Sequence, residues 1–295
     1  MRRYSVRSTG ITIGSLFSGI GGLELGLERA GLGPVLFQVE QDPACRAVLA
    51  RHWPDVPRFD DVCDVEVVTP KASSRSKPKR KNPLPHVDLL CGGFPCQGNS
   101  SAGKGLGLKD PRSALWFEFR RIAKALAPPL VVVENVASGA RRWLPHVRKD
   151  LHVLGYRTRA FQISASDVGA PHLRRRVFVV AADPERVQLW DESGWRGRSG
   201  REGTSKLGDN GTQEPLANAD GFARDVRAVP RPSVSVSSDG RWWASEPAVG
   251  RVAHGIPGRV DRLRMLGNAV VPHCAEVIGQ VIRSMTVLDR RLGAA

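Results

Sequence analysis

Apolar positions along the chain fall into two alternating patterns. In VLFQVE (35–40) and LVVVENV (130–136) most residues are apolar over a short run, which predicts buried strands. Further strands are predicted at ITIGSL (11–16), RFDDV (58–62), HVDLLCGG (86–93), YRTRAFQIS (156–164) and RRRVFVVAA (174–182). Between them apolar residues recur at helical spacing. GLELGLERAG (22–31) repeats through Leu23, Leu27 and Ala30 and stops at Gly31, and DPACRAVLARHWP (42–54) stops before Pro54. SALWFEFRRIAKAL (113–126) and LPHVRKDLHVLG (144–155) are amphipathic helices, the second ending at Gly155. LVVVENV reads as a central strand. The alternation of strand and helix predicts a parallel sheet with crossover helices.

Two stretches break this pattern. Residues 71–86, KASSRSKPKRKNPLPH, carry six lysines and arginines with no acid and read as a basic loop, either a solvated insertion or a phosphate contact. From 183 to 257 Gly, Ser, Arg, Asp and Pro dominate and apolar periodicity vanishes. Pattern returns at RVDRLRMLGNAVVP (259–272) and a helix, HCAEVIGQVIRSM (273–285). The division this predicts is a main domain over 1–182, completed by 258–295, with a short irregular region at 183–257 between them.

The chain has 295 residues and a formal charge of +15, with a sequence pI near 10.5. Such a balance favours polyanionic partners and says nothing of fold. No apolar run approaches the ~20 residues that span a bilayer. The basic start MRRYSVRSTG leads into a glycine-rich stretch and not into a signal-peptide core, which predicts a soluble protein of the cytoplasm. Five scattered cysteines (Cys45, Cys63, Cys91, Cys96, Cys274) form no CxxC pair, so reduced thiols and no metal site are expected.

Five segments carry candidate chemistry. SLFSGIGG (15–22) follows a strand and opens a helix, and its glycines let a ligand approach the backbone. Glu40 ends the second strand 21 residues past Gly19, near the spacing at which a carboxylate meets ribose hydroxyls. The glycine spacing departs from GxGxxG, which lowers a nicotinamide oxidoreductase. GGFPCQ (92–97) puts Cys96 in a glycine loop at a strand end, where its thiolate would be the reactive form. Glu134 ends the apolar run LVVVENV, so its pKa should rise. Alternation along a strand would aim Arg174 and Arg176 to one side and Arg175 to the other. Gly267-Asn268 marks a turn. Taken singly, each has a plain structural reading: a tight turn, a buried thiol, a helix cap or salt bridge, surface charge.

Together, and in this order, these segments resemble the DNA (cytosine-5) methyltransferase family. SLFSGIGGLELGLERAG is similar to its first motif, GGFPCQGNSSAGKGLGLKDPRSALWFEF to its catalytic-loop motif and VVVENV to its glutamate motif. APHLRRRVFVVA resembles the arginine motif and RLRMLGNAVVP the last one, and the final segment is most similar to phage and prophage members. The resemblance implies a mixed α/β sheet of the S-adenosylmethionine-dependent methyltransferase (Rossmann-like) type, with helices on both faces. Residues 183–257 would then form a short target-recognition region.

It also implies roles. Phe17, Gly19, Gly21, Glu40, Asp61, Pro95 and Asn268 would surround S-adenosylmethionine, with Glu40 on the ribose, Asp61 (Asp60 competing) on the adenine amino group, and Asn268 framing the loop. Gln41 stands where the family often has an aromatic residue. Cys96 would be the nucleophile, Glu134 would contact N3 and the exocyclic amine of cytosine, and Arg176, helped by Arg174, would hold the carbonyl oxygen or the glutamate. Lys104 and Lys109 would lie on a closing loop. Asn99 and His172 depart from the family's usual apolar residue and glutamine. The implied partner is double-stranded DNA, met as a monomer and with a possible cognate restriction enzyme. The alternative is a tRNA cytosine-5 methyltransferase on the same scaffold.

Overall fold

A computed structural model describes residues 10–67, 83–95, 115–187 and 259–285. Its strands are β1 (Ile13–Leu16), β2 (Val35–Val39), β3 (Arg58–Phe59), β4 (Glu66–Val67), β5 (Pro83–Leu84), β6 (Leu89–Gly92), β7 (Leu130–Val136), β8 (Arg157–Ile163) and β9 (Arg176–Ala182). Seven of them form one sheet in the order β3-β2-β1-β6-β7-β9-β8, and β4 and β5 form a separate parallel pair. The helices are α1 (Gly22–Arg29), α2 (Pro43–His52), α3 (Leu115–Leu126), α4 (Ala140–Val153), α5 (Arg259–Asn268) and α6 (Pro272–Met285).

The sheet is parallel from β3 through β7, and β9 runs antiparallel to both β7 and β8. It is therefore mixed, as the resemblance implies, and departs from the all-parallel sheet that strand–helix alternation predicts. The reason lies in the connection. Between β8 and β9 the chain carries only a 3-10 turn, Ala165–Val168. A parallel return needs a crossover, usually a helix, so β9 turns back into the slot between β7 and β8.

Period-2 alternation divides the core between the two faces of the sheet. Leu130 and Val132 of β7 face α1 and α6, joining Leu23, Leu27, Ile278 and Ile282. Val131 and Val133 face the opposite way, onto Trp116 and Phe119 of α3 and Trp143 and Val147 of α4. α4 starts at Ala140, four residues before the sequence pattern suggests. Its early start is fixed by buried Trp143, whose indole N–H donates to the Val136 carbonyl at 3.2 Å. Pro145 is exposed within this helix, and the hydrogen bond it cannot donate would go to the solvent-side carbonyl of Arg141.

Small residues let α1 and α6 pack almost backbone to backbone. A Cβ on Gly22 would strike the Val270 carbonyl, one on Gly26 the Pro272 carbonyl and Ala275, and one on Gly279 the Cβ of Ala30. The C-terminal segment thus closes over α1, immediately behind the loop that follows β1.

Candidate active site

Strand order reverses between β1 and β6, and the carboxyl ends of strands flanking such a reversal are where α/β sheets bind ligands. The register sets Leu16 beside Val39 and Gly92, and Gly92 beside Val133. The loops after β1, β2, β6 and β7 therefore leave the sheet at one level.

The β1 loop turns through left-handed backbone at Phe17 (φ 55), Gly19 (φ 57) and Gly21 (φ 83). The two glycines serve different ends. A Cβ on Gly21 would run into the Trp53 ring and Leu49, whereas one on Gly19 would meet nothing within 4 Å. Gly21 faces the core and Gly19 faces open space. Glu40, at the end of β2, accepts the Gly19 N–H through Oε2 at 2.7 Å and the Asp42 N–H through Oε1 at 2.8 Å. Two backbone donors thus orient the carboxylate, and each oxygen keeps a lone pair for a ligand hydroxyl. Open space against a glycine backbone beside an oriented carboxylate fits an adenosine-type cofactor. Asp61, half-buried in the loop after β3, accepts the Cys63 N–H at 2.8 Å, while Asp60 is exposed and pairs with Arg46 at 3.3 Å.

The ends of β6, β7 and β9 make the second half. Glu134 is 7% exposed. Burial pushes its carboxyl up to about 7, against the opposing pull of Arg176 and then Arg174. Arg176 Nε lies 2.8 Å from Glu134 Oε1, an ion pair whose N–H is not well aligned on the oxygen. A Cβ on Gly93 would meet Glu134 Oε2, so any side chain here would displace the carboxyl. Asn135, buried beside it, fastens that loop: its Nδ2 donates to the Phe94 carbonyl at 3.0 Å. Phe94 in turn packs against Trp116 and edge-on against Trp143, with centroids 5.5 and 5.9 Å apart. These contacts hold the root of the loop at Phe94, and Pro95 after it is half-buried. Cys96 itself, with Asn99, Lys104, Lys109, the basic run 71–82 and residues 188–257, lies outside the described residues.

Arg174 differs from the expectation of strand alternation. β9 begins only at Arg176, and Arg174 precedes it with a left-handed φ of 34. Its guanidinium donates to the carbonyls of Leu266, Gly267 and Ala269 at 2.6–2.7 Å, gathering the turn between α5 and α6. Arg176 alone of the pair contacts Glu134. Asn268 is exposed, at the end of α5 in the turn that Arg174 grips. The same turn presses Val270 onto Gly22, linking the arginine side of the site to the β1 loop. Phe17, Gly19, Gly21 and Glu40 thus cluster at one end of the reversal and Pro95, Glu134 and Arg176 at the other. Asn135 was given no role by sequence reasoning, although it stands inside the quoted ENV run.

The family model for C-5 cytosine-specific DNA methylases matches residues 11–219. The chain belongs to that family. Among curated relatives it is 35% identical over 179 residues to the type II methyltransferase M.AquIA of Picosynechococcus, covering 56% of this chain and 69% of the relative. It is 36% identical over 176 residues to M.Eco47II of Escherichia coli, covering 58% of this chain and 39% of that protein. A solved structure of a DNA modification methyltransferase encoded within an E. coli prophage overlays 62% of this chain and 50% of its own, at 27% identity and a TM-score of 0.47. The chain thus spans well under the full length of most relatives it matches. No helix among the described residues is long and apolar enough to cross a membrane.

Proposed function

We propose that this methylase transfers a methyl group from S-adenosylmethionine to C5 of cytosine in double-stranded DNA. The observation that carries the reading is the buried Glu134, paired with Arg176 and pressed against Gly93, two residues before Pro95 and the cysteine that follows it. S-adenosylmethionine, held by the Gly19 backbone and Glu40, supplies an electrophilic methyl group when bound. The chain's own residues must make the acceptor carbon nucleophilic.

C5 of cytosine is a poor nucleophile while the ring is aromatic. The thiolate of Cys96 adds to C6, and C5 becomes enamine-like. Glu134, held uncharged near neutrality by burial, donates to N3 and stabilises the charge that builds on the ring. Arg176 fixes the carboxyl in place. After methylation a base takes the C5 proton, the C6–S bond breaks and the thiolate leaves. Attack at C6 comes perpendicular to the ring, where a stacked neighbour lies in a duplex, so the base must be extruded at a cost of a few kcal/mol. The +15 charge supplies phosphate contacts for this. The tRNA alternative gains no support from the matched family, whose description is of DNA.

Purified protein incubated with labelled S-adenosylmethionine and mixed-sequence duplex DNA should label the DNA, and Cys96→Ser should abolish it. Equal labelling by both would remove the nucleophile from this scheme.

A further inference from the structure

Glu24 lies in the first turn of α1 and is completely buried, a rare position for a carboxyl group unless it is paired. Neither of its oxygens has an aligned hydrogen-bond partner. Around it lies a small polar island on the sheet face beneath α1. Ser15 of β1 stands between Gln38 of β2 and Cys91 of β6 in the register, and all three are buried. Both amide atoms of Gln38 also lack partners. Ser18, in the loop itself, donates from its hydroxyl to that of Ser15 at 2.9 Å. The Ser15 and Ser18 hydroxyls lie close enough to the Glu24 carboxyl to offset part of its burial.

Four polar side chains under one loop, with no cation among them, do not add to apolar stability. Their common neighbour is the turn that presents Gly19. Ser18 anchors that turn twice more, donating its N–H to the Val39 carbonyl at 3.1 Å and accepting the Gly21 N–H at 2.9 Å.

We propose that Glu24 is a positioning residue for the cofactor loop: its carboxyl, seated beneath Ser15 and Ser18, fixes the turn that carries the Gly19 backbone onto Glu40. The proposal rests on the reading that this loop binds S-adenosylmethionine. Ionisation would set a negative charge among Ser15, Ser18 and Cys91, with Glu28 on the same helix adding repulsion. The α6 groups nearby, His273 and Glu276, engage Arg29 at the far end of α1 and offer Glu24 no compensation. Cofactor affinity therefore falls as Glu24 loses its proton, and burial pushes that event up to about 7.

The test is calorimetric binding of S-adenosylmethionine, without DNA, from pH 6 to 8.5. Wild type should bind with constant Kd below neutrality and weaken by roughly tenfold toward pH 8.5. Glu24→Gln keeps a donor and an acceptor but cannot ionise, so it should match the acidic-limit Kd of wild type at every pH. Glu24→Leu should weaken binding about tenfold throughout, the loss of the polar support beneath the turn. Glu276→Gln is the control, because burial also raises the carboxyl of this α6 residue, which faces Arg29 and not the loop; it should keep the wild-type pH profile. A pH-independent Kd in wild type, or an unchanged pH slope in Glu24→Gln, would overturn the proposal. Absence of binding by wild type at every pH would instead strike the underlying reading of the loop.

Discussion

Glu40 and Glu134 end two parallel strands of one sheet, yet their surroundings are opposite in kind. Glu40 is half-buried and takes one backbone N–H on each oxygen. Glu134 is buried, receives no aligned donor on Oε1, and pairs with the Arg176 guanidinium while Arg174 acts from further off. Two backbone donors fix the direction of a carboxylate, which suits a group that orients a ligand's hydroxyls. Burial with partial charge compensation favours the neutral acid, which suits a group that must give a hydrogen bond while charge develops elsewhere. In the proposed reaction the carboxyl end of the sheet thus holds a binding half built from backbone and a reacting half built from buried side chains.

Substitutions should separate the two halves, the largest effect coming from the reacting one. Glu134→Gln should lower kcat by about 10²–10⁴-fold, the usual range for a lost acid, while leaving the Kd for S-adenosylmethionine unchanged. Because the Glu134 carboxyl holds its proton up to about 7, wild-type kcat/KM for DNA at saturating S-adenosylmethionine should fall as pH rises past neutrality, and that limb should vanish in the variant. A matching loss of cofactor affinity would merge the halves. Glu40→Ala should do the reverse. The Kd should rise about 10–100-fold with the loss of charge-assisted hydrogen bonds, and kcat at saturating cofactor should persist.

Within the binding half, two glycines of similar backbone twist should respond differently. Gly21→Ala forces a methyl group into Trp53 and should cost about 1–3 kcal/mol in a denaturant titration. Gly19→Ala has room for its methyl, so its stability cost should stay near the ~1 kcal/mol of left-handed backbone, while the methyl enters the cofactor space and weakens binding. Equal stability losses with intact binding in Gly19→Ala would place the cofactor elsewhere.

Much of this division was legible in the sequence. The apolar run 130–136 coincides with β7, and Glu134 at its end carries the raised pKa that burial implies. The glycine loop and Glu40 were legible as a pair, and the structure joins them by a hydrogen bond. What could not be read follows from tertiary packing. RRRVFVVAA specifies a strand, and apolarity carries no direction, so β9 gave no sign of running antiparallel. Arg174 fits an alternating strand on paper, but the strand starts two residues later because Arg174 turns to the α5–α6 carbonyls. Glu24 and Gln38 are polar residues inside apolar patterns and carried no separate reading in the sequence. They are buried because neighbouring elements cover them, which no local pattern reports.

The central claim is that Cys96 bonds to cytosine C6 in the course of methyl transfer. It is tested most directly with duplex DNA carrying 5-fluorocytosine throughout in place of cytosine. Fluorine at C5 cannot leave as a proton does, so the thiolate cannot be released. With S-adenosylmethionine present, wild type should form a denaturation-resistant protein–DNA adduct whose mass shows one added methyl group, with the crosslink at Cys96, and Cys96→Ser should form none. An adduct of equal yield in Cys96→Ser, or methylation of unmodified DNA by wild type without any trapped adduct on the fluorinated duplex, would contradict it.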